Sequence, residues 1–425
     1  MATLTISEKF HGWRIVAAAF VLAVFGWGLG FYGPPIYLQA VRDLRGGSLP
    51  LVSAAVTAHF LFGALVVARL PKLYLRYGLP AVTKAGAVSL AVGILGWAIA
   101  IEPWQLFAAA LFSGAGWVAM GAAAINAIIA PWFIRTRPAA LAMAYNGASI
   151  GGVVFSPLWV AAIGQWGFLT AAAIIGVIVT IAVFILADVY FSRTPQQMGL
   201  SPDGDDPGVT TVAGPAAAAA SHSGASLWKD RRFVTLAAGT ALSLFAQIGL
   251  LAHLFSLLVP AVGAQLAGVA ISAATAAAIA GRTLVGWLMP QGADRRLVAS
   301  GSFGVQIAGS VAFLLAGGAN IPLLVLGTIL FGVGIGNATS LPPLIAQSEF
   351  AKEDVSRVVS LNVAISQGTY AFAPASFGLI REYAPQAGAM AAAAAPYLFV
   401  TAALLQAAAV AALLAGRRRS AARSF

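Results

Sequence analysis

Apolar runs of roughly 20 to 28 residues, separated by short polar breaks, recur from near Trp13 to near Gly416. Each is long enough to cross a hydrocarbon core of about 30 Å, and there are twelve of them. The expected spans are 14–39, 49–75, 80–101, 104–133, 139–164, 168–190, 233–260, 265–290, 297–317, 321–348, 357–380 and 391–416. They are rich in Ala, Leu and Gly and do not alternate apolar with polar positions, so the pattern predicts helices and not a barrel. The fold class expected is an all-α membrane protein with twelve transmembrane helices. The 13 residues before the first span are too short for a signal peptide and the run behind them too long for its apolar core, so the first span is expected to stay uncleaved.

The interval 191–230 breaks the rhythm. It holds Pro202, Asp203, Gly204, Asp205, Asp206 and Pro207, then an Ala/Ser/Gly tract to Ser226, a composition that cannot build a core. The expected division is therefore an N-terminal half 1–190, a linker 191–230, a C-terminal half 231–416 and a basic tail 417–425. The halves echo each other. Leu111-Phe112 ahead of Gly114 and Gly116 matches Leu330-Phe331 ahead of Gly332, Gly334 and Gly336, and Arg76 matches Arg295, both at an offset of 219. Arg137 and Leu141 match Arg357 and Leu361 at 220. Two six-helix pseudo-repeats in parallel put a solute site at the repeat interface near the bilayer midplane.

Composition agrees: 60% of residues are hydrophobic, 9% are charged, and the mean hydropathy is +0.89. The net charge of +11 does not signal nucleic acid, because of where the cations lie. Placing the N-terminus in the cytoplasm puts 19 of the 24 Lys and Arg on that side, which orients both termini there. The absence of cysteine excludes thiolate chemistry and disulfides. Acids and histidines are too scarce within the spans for an intramembrane enzyme. No cofactor is expected. A membrane sensor would need an output domain that the linker and tails are too short to supply.

Against that apolar background single residues stand out. Arg282 is the only charge from about Gln265 to Pro290, and an arginine at bilayer depth costs about 2.5 to 3.5 kcal/mol even on the lenient scale. Counted at 1.5 Å per residue it lies about 20 Å from Arg295, near the midplane, with Asp188, Asp294, Glu349 and Glu382 all at span ends. It is expected to bind an anion. Arg69 lies only about 10 Å from Arg76; either can snorkel, act as a gate or make a second anion contact. His59 and His253 are the only histidines inside spans and are candidates for proton coupling, against the commoner outcome of a neutral ring bonded to a neighbouring helix. The first span breaks at a cluster from Gly26 to Pro35 with Tyr32 and Tyr37 beside it. Tyr145, Asn146, Asn362, Gln367 and Tyr370 are intramembrane polar groups at corresponding places in the two repeats. Tyr32 and these five are candidate solute contacts, with interhelical hydrogen bonding as the alternative.

Several stretches resemble the major facilitator superfamily, and within it the bacterial monocarboxylate porter and oxalate/formate antiporter branch. They are His11-Gly12-Trp13-Arg14, then Arg137-Pro138 with Leu141-Ala142, Gly147 and Gly151, then Arg193-Thr194-Pro195 with Gly199 to Gly204. Gly281-Arg282 with Gly286 and Asp294-Arg295 resembles the block that carries that branch's substrate-binding arginine. The gate motif after the second span is altered to Pro71-x-Leu73-x-Leu75-Arg76-x-Gly78, with leucine where aspartate is usual. Ala278 and approximately Phe31 stand where animal members place an aspartate and a lysine. The resemblance implies a monomeric secondary active transporter of the bacterial inner membrane, carrying a small organic anion, a mono- or dicarboxylate, by alternating access. Protons or a counter-anion would be the coupled species, membrane lipid the other partner, and no nucleic acid is involved. The alternatives are a nitrate-like inorganic anion porter and an exporter of a larger metabolite, siderophore or drug.

Overall fold

The computed structural model describes residues 10–204, 227–290, 293–383 and 395–417. Most of the expected linker, and the tail beyond Arg417, lie outside the described residues. Among those residues all regular structure is helical and there is no strand. The first crossing is two helices, α1 (His11–Gly30) and α2 (Pro34–Arg45). Pro34 and Pro35 have no backbone N–H to continue α1, so the helix restarts with them in its first turn. The buried Tyr37 hydroxyl reaches back across the break and donates to the Leu29 carbonyl at 3.1 Å.

The expected span 49–75 is not one helix. It is α3 (Leu49–Val67) and α4 (Leu70–Tyr77), because Pro71 in the first turn of α4 breaks the ladder. Arg69 is consequently the exposed N-cap of α4 and not a residue inside a continuous span. After α5 (Leu79–Ile99), the expected span 104–133 is likewise divided, into α6 (Pro103–Ala119) and α7 (Ala122–Ile129), around Met120 and Gly121. α8 (Arg137–Leu186) contains two crossings that meet at Gly167, whose φ of 76° suits glycine. It ends in a π-helical turn, Ala187–Phe191.

α9 (Arg231–Leu288) repeats that device, two crossings meeting at Gly263 with φ 78°. α10 (Arg295–Ala316), α11 (Ile321–Glu349), α12 (Lys352–Tyr370), α13 (Ala373–Tyr383) and α14 (Pro396–Ala415) follow. Among the described residues, nine helical stretches are long and apolar enough to cross a membrane. Two of them, of 53 and 58 residues, are the paired crossings of α8 and α9. With these counted twice and α12–α13 taken as one more, the chain is consistent with twelve crossings and is a multi-pass membrane protein.

The chain forms two compact units: Met1–Gly46 with Ala58–Ala218, and Gly47–Thr57 with Ala219–Phe425. Small residues let helices close up in each. In the first, a Cβ at Gly147 or Gly151 of α8 would overlap the backbone of α1 at Phe20 and Val24. In the second, the same holds for Gly281 of α9 against Val333, and for Gly332 and Gly336 of α11 against Ala274 and Ala278. The outer turns of α3 belong to the second unit, where the Thr57 hydroxyl accepts from the Ala375 N–H at 3.1 Å.

The basic helix ends differ between units. In the second, Arg296 is 1% exposed and makes a two-pronged pair with Glu349, at 2.7 and 2.9 Å. Its remaining donors reach the Thr235 hydroxyl and the carbonyls of Leu413 and Arg232. Arg232 pairs with Asp230 at 2.8 Å, and Asp294 caps α10 through the N–H groups of Arg296 and Leu297 while pairing with Arg417. In the first unit a different carboxylate serves. Asp203, two residues beyond Ser201, accepts from the N–H of Ile134 (3.0 Å), Arg135 (2.8 Å) and Thr136 (3.1 Å) and from the Thr136 hydroxyl (2.5 Å), at the entrance to α8. Its own N–H donates to the Trp132 carbonyl at 2.9 Å. Burial raises the Asp203 carboxyl pKa, but the Thr136, Arg135 and Ile134 hydrogen bonds outweigh it and hold it below its ordinary value.

Candidate functional site

Arg282 lies on the second crossing of α9, half-buried, on the face that meets α11. Ala274, Ala278 and Arg282 recur every fourth residue and so share one helix face. Gly332 and Gly336 bring α11 against that face: a Cβ at Gly336 would overlap the Ala278 carbonyl and lie 3.1 Å from the Arg282 Nε. Nε donates to the Gly336 carbonyl at 3.3 Å. The glycine thus leaves room for the guanidinium stem and also supplies an acceptor that orients it. Ala278 is 3% exposed and backs onto Gly336.

On α12 of the same unit, Asn362, Ser366 and Tyr370 form a polar stripe at i, i+4 and i+8, with Gln367 half-buried beside it. Asn362 is 4% exposed and Ser366 2%. The amide oxygens of Asn362 and Asn337 and the Ser366 hydroxyl have no hydrogen-bond partner among the described residues. Leaving such a group unpaired costs about 1 to 3 kcal/mol, so these are places where water or a solute group is wanted. Sequence reasoning had missed Asn337 and Ser366. Asn337 follows the Gly336 that holds Arg282, and the four-residue spacing from Asn362 to Tyr370 passes through Ser366.

In the first unit, Tyr32 is buried in the break between α1 and α2, beside Phe31. Tyr145 accepts from Asn126 Nδ2 at 2.5 Å and donates to the Ala122 carbonyl at 3.1 Å, at the start of α7, with Trp27 of α1 edge-on at 6.2 Å. Asn146 is exposed next to it. Arg76 is exposed over the Tyr77 ring, 5.1 Å from its centre.

Both histidines are 1% exposed or less. His59 Nε2 donates to the Gly30 carbonyl at 2.9 Å, and Nδ1 meets the Ser113 hydroxyl at 2.8 Å, as a neutral ring requires. Trp97 also donates to Ser113, and Trp117 stacks on the ring at 5.7 Å, so the imidazole ties together α1, α3, α5 and α6. His253 Nε2 donates to the Pro374 carbonyl at 3.0 Å, in the first turn of α13.

A multi-pass helical chain with internal repeats, broken crossings and a charged group on the packed face of a crossing has the build of a membrane carrier. The model of the Major Facilitator Superfamily matches residues 12–374, and the chain belongs to that family, whose members are transporters and not enzymes. It is 31% identical over 195 residues to MFS-type transporter 1 of Ophiocordyceps sp. (strain BCC 1869), a match covering 44% of this chain and 42% of that relative. The crystal structure of a point mutant of the nucleoside transporter NupG superposes with a TM-score of 0.71 at 12% identity, over 95% of this chain and 100% of that one. A bacterial homologue of the human lysosomal transporter Spinster, inward-facing and unoccupied, gives 0.70 at 14%, over 97% and 98%. At such identities the likeness is one of fold.

Proposed function

We propose that this chain is a secondary active transporter that moves a small organic anion, a mono- or dicarboxylate, across a bacterial inner membrane by alternating access, with both termini cytoplasmic. The observation that carries the proposal is Arg282: a cation within a crossing, its Nε turned to the Gly336 carbonyl so that the fork of terminal nitrogens has a set direction. A planar guanidinium matches a carboxylate with two parallel bonds, which a point charge cannot. Asn362, Gln367 and Tyr370, joined by Asn337 and Ser366, are the polar groups of the second unit suited to the rest of the solute. Tyr32, Tyr145 and Asn146 are the candidates in the first. The resemblance to the monocarboxylate and oxalate/formate branch supports the solute class, and the positive-inside distribution supports the orientation. Neither histidine reaches a solute in this proposal without first giving up a helix-bridging bond; proton symport would then run with the anion itself.

The test is counterflow in proteoliposomes against carboxylates, nitrate and neutral solutes, with and without a pH gradient, for the natural chain and Arg282→Lys. Carboxylate counterflow that Arg282→Lys reduces without abolishing is expected, and dependence on the gradient separates proton symport from exchange. Transport of a neutral solute, undiminished in Arg282→Lys, would refute the anion assignment.

A further inference from the structure

The first unit has a cavity near helix ends whose matching positions in the second unit carry a buried arginine pair. At the repeat offset of 219, Asp294, Arg296 and Glu349 correspond to Leu75, Tyr77 and Ala130. The guanidinium of Arg296 fills the space between the basic ends of α9, α10, α11 and α14 with five hydrogen bonds. None of its three counterparts can do that. Tyr77 is 56% exposed under Arg76, Leu75 is 90% exposed, and alanine has no reach. The ends of α4, α5, α7 and the turn after α8 line a cavity of about 700 Å³.

Its lining is amphiphilic. Leu75, Leu79, Ile128 and Pro131 supply apolar wall, while Arg193, Ser192 and Thr194 supply polar groups at the mouth. Among the described residues no carboxylate lines it. The Tyr74 hydroxyl, which also lines it, is buried with no hydrogen-bond partner among the described residues. The π-helical turn at Ala187–Phe191 forms one wall, a distortion that often marks functional positions. Trp132 and Tyr190 complete the site with the amphipathic rings that favour the membrane–water interface.

We propose that this cavity binds an anionic phospholipid from the leaflet on the basic side. Its phosphate meets Arg193 and the Tyr74 hydroxyl, and an acyl chain lies along the exposed Leu75. A positive mouth without acids, an apolar wall open to the bilayer and an orphan hydroxyl together match a lipid phosphate better than a soluble anion, which would gain nothing from the wall.

The full-length protein purified in detergent is titrated with phosphatidylglycerol, phosphatidylcholine or inorganic phosphate. Bound lipid is counted by native mass spectrometry and thermal stabilisation is followed in parallel. Phosphatidylglycerol is expected to be retained and to stabilise, the other two not. Arg193→Gln should weaken retention about fivefold. Ile128→Trp, which fills the cavity, should abolish it. Because the chain has no cysteine, Thr194→Cys adds a single thiol whose maleimide labelling phosphatidylglycerol should slow. Equal retention of both lipids, stabilisation by phosphate alone, or unchanged retention in monodisperse Ile128→Trp and Arg193→Gln would each overturn the proposal.

Discussion

In the second unit the basic helix ends are tied by charge: Arg296 to Glu349, Arg232 to Asp230, Arg417 to Asp294. In the first, the positions that match Asp294, Arg296 and Glu349 are leucine, tyrosine and alanine; a more exposed pair, Lys84 with Asp188, joins α5 to the turn after α8, and Asp203 from the segment beyond accepts backbone N–H groups at Ile134, Arg135 and Thr136. Repeats of one architecture can therefore diverge in what closes their ends while their crossings stay alike. A buried ion pair fills its own space. The first unit keeps a cavity near its helix ends, beside Tyr74.

The largest effect expected from breaking this contrast is in the second unit. Glu349→Gln strands the Arg296 guanidinium at 1% exposure and should cost about 3 to 5 kcal/mol, read as a lowered melting temperature in detergent. Asp203→Ala should cost less, about 1 to 2 kcal/mol, since it removes a helix-end cap whose donors can turn to water. Thr136→Ala should show a fraction of the same loss.

Acid should probe both ends. Asp203 has a depressed pKa despite the burial that raises it, and so does Asp294, where the Arg417 and backbone hydrogen bonds outweigh burial. A carboxylate depressed on folding stabilises fully above its unfolded value of about 3.9, and that contribution is lost as pH falls through the folded value. A pH series of melting temperatures should therefore fall below about pH 4, with a shallower slope in Asp203→Asn. The smallest effect expected is for Leu75→Asp. It places an acid at a side chain that is 90% exposed and should move stability by no more than about 0.5 kcal/mol.

The sequence carried the crossings and the lone cation, because length, hydropathy and an isolated charge are properties of a single segment. The break before Pro34 was legible for the same reason. The break at Met120–Gly121 was not: a glycine in an alanine-rich run reads equally as close packing, and the span 104–133 looked continuous. His59 is the sharper example. Its partners, Ser113 and Gly30, come from sequence separations of 54 and 29 residues, and only folding brings them to the ring. Asp203 was visible as part of a motif, yet nothing in its neighbours named the α8 entrance as the acceptor site's partner. The corresponding lesson at Arg282 is the role of Gly336, 54 residues away, which fixes the direction of a cation that the sequence could place only by depth.

The most direct test of the central claim compares counterflow of a small carboxylate with its neutral primary amide in the natural chain and in Arg282→Gln. If Arg282 binds the anion, the natural chain should favour the carboxylate by about tenfold or more, and Arg282→Gln should lose that preference. A preference that survives intact in Arg282→Gln, with transport of the carboxylate undiminished, would contradict the account.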